Sequence, residues 1–169
     1  LYAVNTTSTN LNVNTSDVQD GDPVKSKTFT KSFVIDKNDK VNLSNQFGGI
    51  TIKTWDKNEI KVDVDIKAYA KTDADAQKLL DQVSISASKD GDMVAFKTNM
   101  EDRSGNWGSS RNGKNSWRRE AKVFYVVYMP AGNSLTASQQ YGNIVLDDFS
   151  GPTSLKVQYG NLNAGNLTN

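Results

Sequence analysis

The chain has 169 residues, a formal net charge of +1, a hydrophobic share of 36%, and neither cysteine nor histidine. That length suits one domain that buries most of its unfolded surface. Near-neutrality provides no global field to draw nucleic acid or anionic membrane. Without Cys or His there are no disulfides, no thiolate or imidazole metal ligands, no thiol nucleophile and no histidine base, so no cofactor is expected.

Residues 1–27 are rich in Thr, Asn, Ser and Asp and poor in large apolar groups, which predicts a flexible polar leader. Leu1-Tyr2-Ala3 ends in a small residue and is compatible with the tail of a cleaved signal peptide. Residues 28–169 are expected to form a single domain. There Phe29, Phe33 and Ile35 share strand parity, and Val41 and Leu43 follow the turn-forming Asp36-Lys37-Asn38-Asp39. Ile60, Val62, Val64 and Ile66 then alternate with Lys61, Asp63, Asp65 and Lys67, the clearest strand of the chain. One helix is predicted near 73–83, capped at Thr72 or Asp73, with Ala74, Ala76, Leu79, Leu80 and Val83 as its stripe. Two strands follow around the Lys89-Asp90-Gly91-Asp92 turn.

From about Glu101 to Glu120 the apolar periodicity stops, and Arg103, Trp107, Arg111, Trp117, Arg118 and Arg119 stand among Gly, Ser and Asn. A long loop of this composition is a candidate for glycan or protein contact, since Arg and Trp dominate binding hot spots. The ordinary alternative, an insertion whose tryptophans pack on the sheet, is slightly favoured. Val123–Met129 is apolar at successive positions and predicts a strand covered on both faces. No apolar run is long enough to span a membrane as a helix.

One phrase occurs three times. Gln46-Phe47-Gly48-Gly49-Ile50-Thr51-Ile52 returns as Gln140-Tyr141-Gly142-Asn143-Ile144-Val145-Leu146 and as Gln158-Tyr159-Gly160-Asn161-Leu162-Asn163-Ala164, the last two 18 residues apart. So short a unit cannot bury an apolar face alone, so its copies are expected to stack as coils of a right-handed β-solenoid. Gly or Asn at the third and fourth places suits a corner with positive φ. The aromatic residues should stack in adjacent coils. Ending partway through a coil, the sequence reads as a solenoid truncated at its C-terminal end.

The run Phe33-Val34-Ile35 … Val41-Asn42-Leu43 … Gln46-Phe47-Gly48-Gly49-Ile50-Thr51-Ile52-Lys53-Thr54-Trp55-Asp56 … Ile60-Lys61-Val62 resembles the Bacteroidetes-type bacterial family known as putative adhesins. The resemblance covers roughly residues 29–169. It implies an exported all-β cell-envelope domain with no established catalytic residues, and Trp55 as a packing residue under the coil.

Other candidates have ordinary readings. Asp63 and Asp65 share one strand face as paired carboxylates could, but the lysines around them favour a solvated face of mixed charge. Asp147 and Asp148 fit a turn, and Asp20-Gly21-Asp22 lacks the remaining ligands of a calcium loop. The expectation is a non-catalytic adhesive or scaffold module of the envelope, with glycan or a cell-surface protein as partner. The alternatives are a carbohydrate-active β-helix enzyme and an envelope signalling partner that binds another protein.

Overall fold

Alternation written into the sequence becomes burial in the computed structural model, which describes residues 25–101 and 119–168. The strands are β1 (Lys25–Val34), β2 (Lys40–Trp55), β3 (Glu59–Tyr69), β4 (Val83–Asp90), β5 (Met93–Met100), β6 (Glu120–Pro130), β7 (Ser134–Leu146), β8 (Thr153–Tyr159) and β9 (Leu162–Ala164), with helix α1 (Asp73–Asp81) between β3 and β4. Along β3 the apolar set Ile60, Val62, Val64 and Ile66 is buried, as period-two patterning requires. In β6, Val123, Tyr125, Val127 and Met129 are buried.

The second face of β6 corrects the expectation of cover on both sides. Phe124, Val126 and Tyr128 point the other way and are partly solvated. Lysine stems dress this outer face: the ammonium of Lys67 lies 5.8 Å from the Phe124 ring and that of Lys53 5.8 Å from Tyr128. Trp55 belongs here as well. Its indole packs on Tyr128, with centroids 5.4 Å apart, and donates to Glu59 O at 2.7 Å. It therefore pins the turn between β2 and β3 on the outer face rather than filling the space under a coil.

β2 organises the sheet. At 16 residues it is long enough to serve different neighbours with its two halves. Lys40–Ser44 pairs in parallel with β5, Gly48–Trp55 pairs in parallel with β6, and β7 runs parallel along its other edge from Lys40 to Ile52. Outside this centre the pairings turn antiparallel, β1 with β3, β3 with β6 and β4 with β5. β8 and β9 then add in parallel to β7. The nine strands form one sheet that is nearly closed and barrel-like. The architecture is thus mostly β with one helix, and the expectation of stacked short strands throughout fails. Among the described strands only β4 and β5 form a hairpin, and the parallel stack of the repeated phrase is confined to β2, β7, β8 and β9.

Helix α1 closes one end of the core with Ala76, Leu79 and Leu80. Burial of each leucine contributes about 2 kcal/mol. Thr72 caps its start: Oγ1 accepts from Asp75 N at 3.2 Å and donates to Asp75 Oδ2 at 2.9 Å. Its end is capped from outside by Lys27, whose ammonium donates to Leu80 O and to Val83 O. Burial lowers the Lys27 pKa, and the charge of Asp81 offsets part of that. Val83 leaves the predicted helical stripe to begin β4, and Ala74 faces solvent.

The turn before β2 is organised by Asp39. Its carboxylate is buried, accepts from Asp36 N at 3.0 Å and lies 2.9 Å from the Lys89 ammonium of β4. Burial alone would raise the Asp39 pKa. The hydrogen bond from Lys89, that from the Asp36 amide and the Lys89 charge outweigh it and hold the carboxyl below its ordinary 3.8. In acid the unfolded chain therefore takes up this proton before the folded one does. The stabilisation is complete above the unfolded pKa and is lost as pH falls through the folded value. Urea midpoints between about pH 6 and about pH 2.5 should fall less steeply in Asp39→Asn than in the parent. Equal slopes would show that Asp39 is not a source of acid lability.

Candidate functional site

The three copies of the repeated phrase meet at one corner of the sheet. Phe47 aligns with Tyr141, Gly48 with Gly142 and Gly49 with Asn143, and Tyr141 aligns in turn with Tyr159. The rings form a continuous stack: Phe47 and Tyr141 lie 4.9 Å apart at 4° between planes, Tyr141 and Tyr159 5.0 Å apart at 8°. Such pairs contribute about 1 kcal/mol each beyond their buried area.

The third place demands glycine twice over. Gly48, Gly142 and Gly160 have φ of 127°, 132° and 156°. A Cβ on Gly48 would lie 2.1 Å from Val123 O, one on Gly142 1.9 Å from Gly48 O, and one on Gly160 1.8 Å from Gly142 O. The fourth place works differently from the expectation. Gly49 is not among the positive-φ glycines, and Asn143 serves as a rung-to-rung acceptor, its Oδ1 receiving Asn161 N at 2.9 Å. Asp148 does the same at the next corner, accepting Asn166 N at 2.7 Å. Its pairing there fits the turn reading of Asp147-Asp148. Phe149 and Leu167, 18 residues apart, form a parallel bridge, Phe149 buried and Leu167 exposed.

One residue before the phrase, the inward parity of β2 and β7 carries polar side chains that the sequence reading missed. Asn45 and Gln139 are 2% and 0% exposed. Asn45 Nδ2 donates to Gln139 Oε1 at 2.9 Å and to Val123 O at 2.8 Å, while Gln139 Nε2 donates to Gln46 O at 3.1 Å and Tyr141 O at 2.8 Å. Thr98 Oγ1 donates to Asn45 Oδ1 at 2.8 Å, so the 2.9 Å contact between Thr98 and Tyr125 has the phenol as donor. Burial, eased by the Thr98 hydrogen bond, pushes the Tyr125 pKa up to about 12, which keeps that proton in place. The network joins β2, β5, β6 and β7, and no buried side-chain nitrogen or oxygen among the described residues lacks a partner. The available signal was a polar residue closing an inward series, after Val41 and Leu43 and after Leu135 and Ala137.

On the outward parity the same strands line up a second polar array. Ser44, Ser138 and Lys156 form one row across β2, β7 and β8, and Gln46, Gln140 and Gln158 form the next. Between the rows runs an open recess of about 310 Å³.

The other candidates separate cleanly. Arg119 is half-buried at the entry to β6, while Arg103, Trp107, Arg111, Trp117 and Arg118 lie outside the described residues. Asp63 and Asp65 are each matched by a lysine on their own strand, Lys61 at 3.6 Å and Lys67 at 3.4 Å, and Asp63 also accepts from Thr30 at 2.9 Å. This supports the reading as a solvated face of mixed charge. No three acidic side chains gather as a metal site among the described residues, and none of their helices is long and apolar enough to cross a membrane.

No family model and no curated protein matches the sequence. Among solved structures the chain is similar to a putative cell adhesion protein from Clostridium sporogenes, at 9% identity and a TM-score of 0.40, with 79% of this chain and 59% of that one covered. A putative adhesin from Bacteroides fragilis is 13% identical, with a TM-score of 0.30 over 83% of this chain and 56% of that one. A putative lipid binding protein from Parabacteroides distasonis is 10% identical, with a TM-score of 0.33 over 83% and 58%. The chain resembles putative adhesins. It spans less than three-fifths of the length of each of these structures.

Two substitutions test the corner. Gly142→Ala should cost at least about 2 kcal/mol, because strain and a backbone clash coincide. Gln139→Leu should cost about 3 kcal/mol by removing one acceptor of the Asn45 amide and the side-chain donor to two carbonyls, whereas outward Gln140→Leu should cost less than about 0.5 kcal/mol. Chemical denaturation of the three variants measures all of this, and equal midpoints for Gln139→Leu and Gln140→Leu would refute the structural role of the network.

Proposed function

We propose that the chain is a non-catalytic, exported surface module of the cell envelope, used for adhesion or scaffolding. The in-register stacking of β2, β7 and β8 is the observation that carries this reading, because it sets equivalent positions of the repeated phrase in rows across a rigid face. Rows suit an extended partner and need no closed pocket. The β2–β7–β8/β9 stack is, in this reading, a short β-solenoid built onto the mixed sheet. The chain's similarity to putative adhesins is in keeping with the same role. The Arg103–Arg119 segment supplies a second contact, through Arg103, Trp107, Arg111, Trp117, Arg118 and Arg119.

The enzyme alternative loses support from its nearest carboxylate pair, since Asp63 and Asp65 are each engaged by a lysine. The test is retention of the purified domain on arrays of surface glycans and matrix proteins, with each positive well assayed for new reducing ends or unsaturated sugars. Retention without product is expected, and Trp107→Ala/Trp117→Ala should weaken it. Product formation would make the protein an enzyme, and failure to bind either class would remove the adhesive role.

A further inference from the structure

The recess between the serine and glutamine rows has a composition that narrows its ligand. It is lined by Ser44, Gln46, Ser138, Gln140, Lys156 and Gln158, with the Asn45 and Gln139 positions between the rows. None of these is apolar, so a lipid chain or a drug-like molecule, which fill mostly apolar cavities, finds nothing to bury against. Only Lys156 is charged, which is too little to hold a phosphate backbone. A peptide that adds to a sheet pairs along a strand edge, whereas this recess crosses the strands on their face.

What remains is a ligand that both donates and accepts at every step. Glutamine amides and serine hydroxyls do both, as sugar hydroxyls do. The five Ser and Gln side chains make no hydrogen bond to another described residue. Their groups repeat at the strand spacing of about 4.8 Å. Building on the surface-module reading, we propose that this recess binds a linear, neutral polysaccharide in extended form, laid across β2, β7 and β8 with about one sugar unit per strand. Each unit would meet one glutamine amide and one group of the opposite row.

The register makes length the diagnostic. With three strands contributing, affinity should rise from disaccharide to trisaccharide or tetrasaccharide and then level off. Cello-, xylo- and chito-oligosaccharides of graded length serve as probes in isothermal titration calorimetry. At least one series should bind with that plateau. Gln140→Ala/Gln158→Ala should weaken it at least tenfold, about the effect of one or two lost hydrogen bonds. Ser138→Phe, which fills the recess from the opposite row, should abolish it. Unchanged urea midpoints in both variants confirm that the losses are local. No binding by any series, or binding that both variants keep, would overturn the assignment. If the parent and both variants still adhere to the arrays, the surface role stands and the recess is not its contact.

Discussion

Close backbone approach at the repeated glycine constrains everything else at the corner. The chain can turn there only with a left-handed residue, and each turn sits so tightly on the one beneath that a single methyl group would strike a carbonyl. Once glycine takes that place, the residues on either side are fixed by parity and register. The aromatic before it stacks on the aromatic below, and the residue before that projects outward. The inner and outer arrays of the corner are therefore consequences of the turn. Displacing one glycine would disturb packing, hydrogen bonding and outer surface together.

Two kinds of polar group hold the same strands, and they answer different needs. The interior amides of Asn45 and Gln139 are fully paired in a dry environment, where loss of one partner strands several others. The surface pairs Lys61–Asp63 and Lys67–Asp65 lie in solvent and contribute at most a few tenths of a kcal/mol each. Asp39 sits between these extremes, buried yet matched by a lysine from another strand. Stability should hence depend on a few inward polar side chains far more than on the many outward charges.

Local signals were legible wherever one periodicity or one turn governed the outcome. The alternation in β3, the helix start at Thr72 or Asp73, the Gly-Asp hairpin and the aromatic stack could all be read from residues alone. Other features depended on which strand lies beside which, and that information is not local. β6 looked doubly covered because a strand whose outer face is dressed by Lys53 and Lys67 reads like a buried one. Trp55 reads from the sequence as a packing residue under the coil because an indole at a strand end can pack on either side. The Asn45–Gln139 pair, 94 residues apart, emerges only when β2 and β7 are placed side by side. The outer serine and glutamine rows were hidden for the same reason, although each glutamine opens a copy of the repeated phrase.

The inner network also gives the stack a direction. Gln139 spends its amide on β2, and the next residue in that row is Val157, which has no polar group to offer. The joint between β2 and β7 is thus a keyed fit, made once, between two non-identical partners. The joint between β7 and β8 is generic, built of glycine, aromatic and apolar positions that any copy of the phrase supplies. Tandem duplication of an 18-residue unit would be accommodated at the second joint and rejected at the first. A fold of this design can lengthen by copying its outer unit while its founding pair stays unique, so its reach can change over evolution without renegotiating its core.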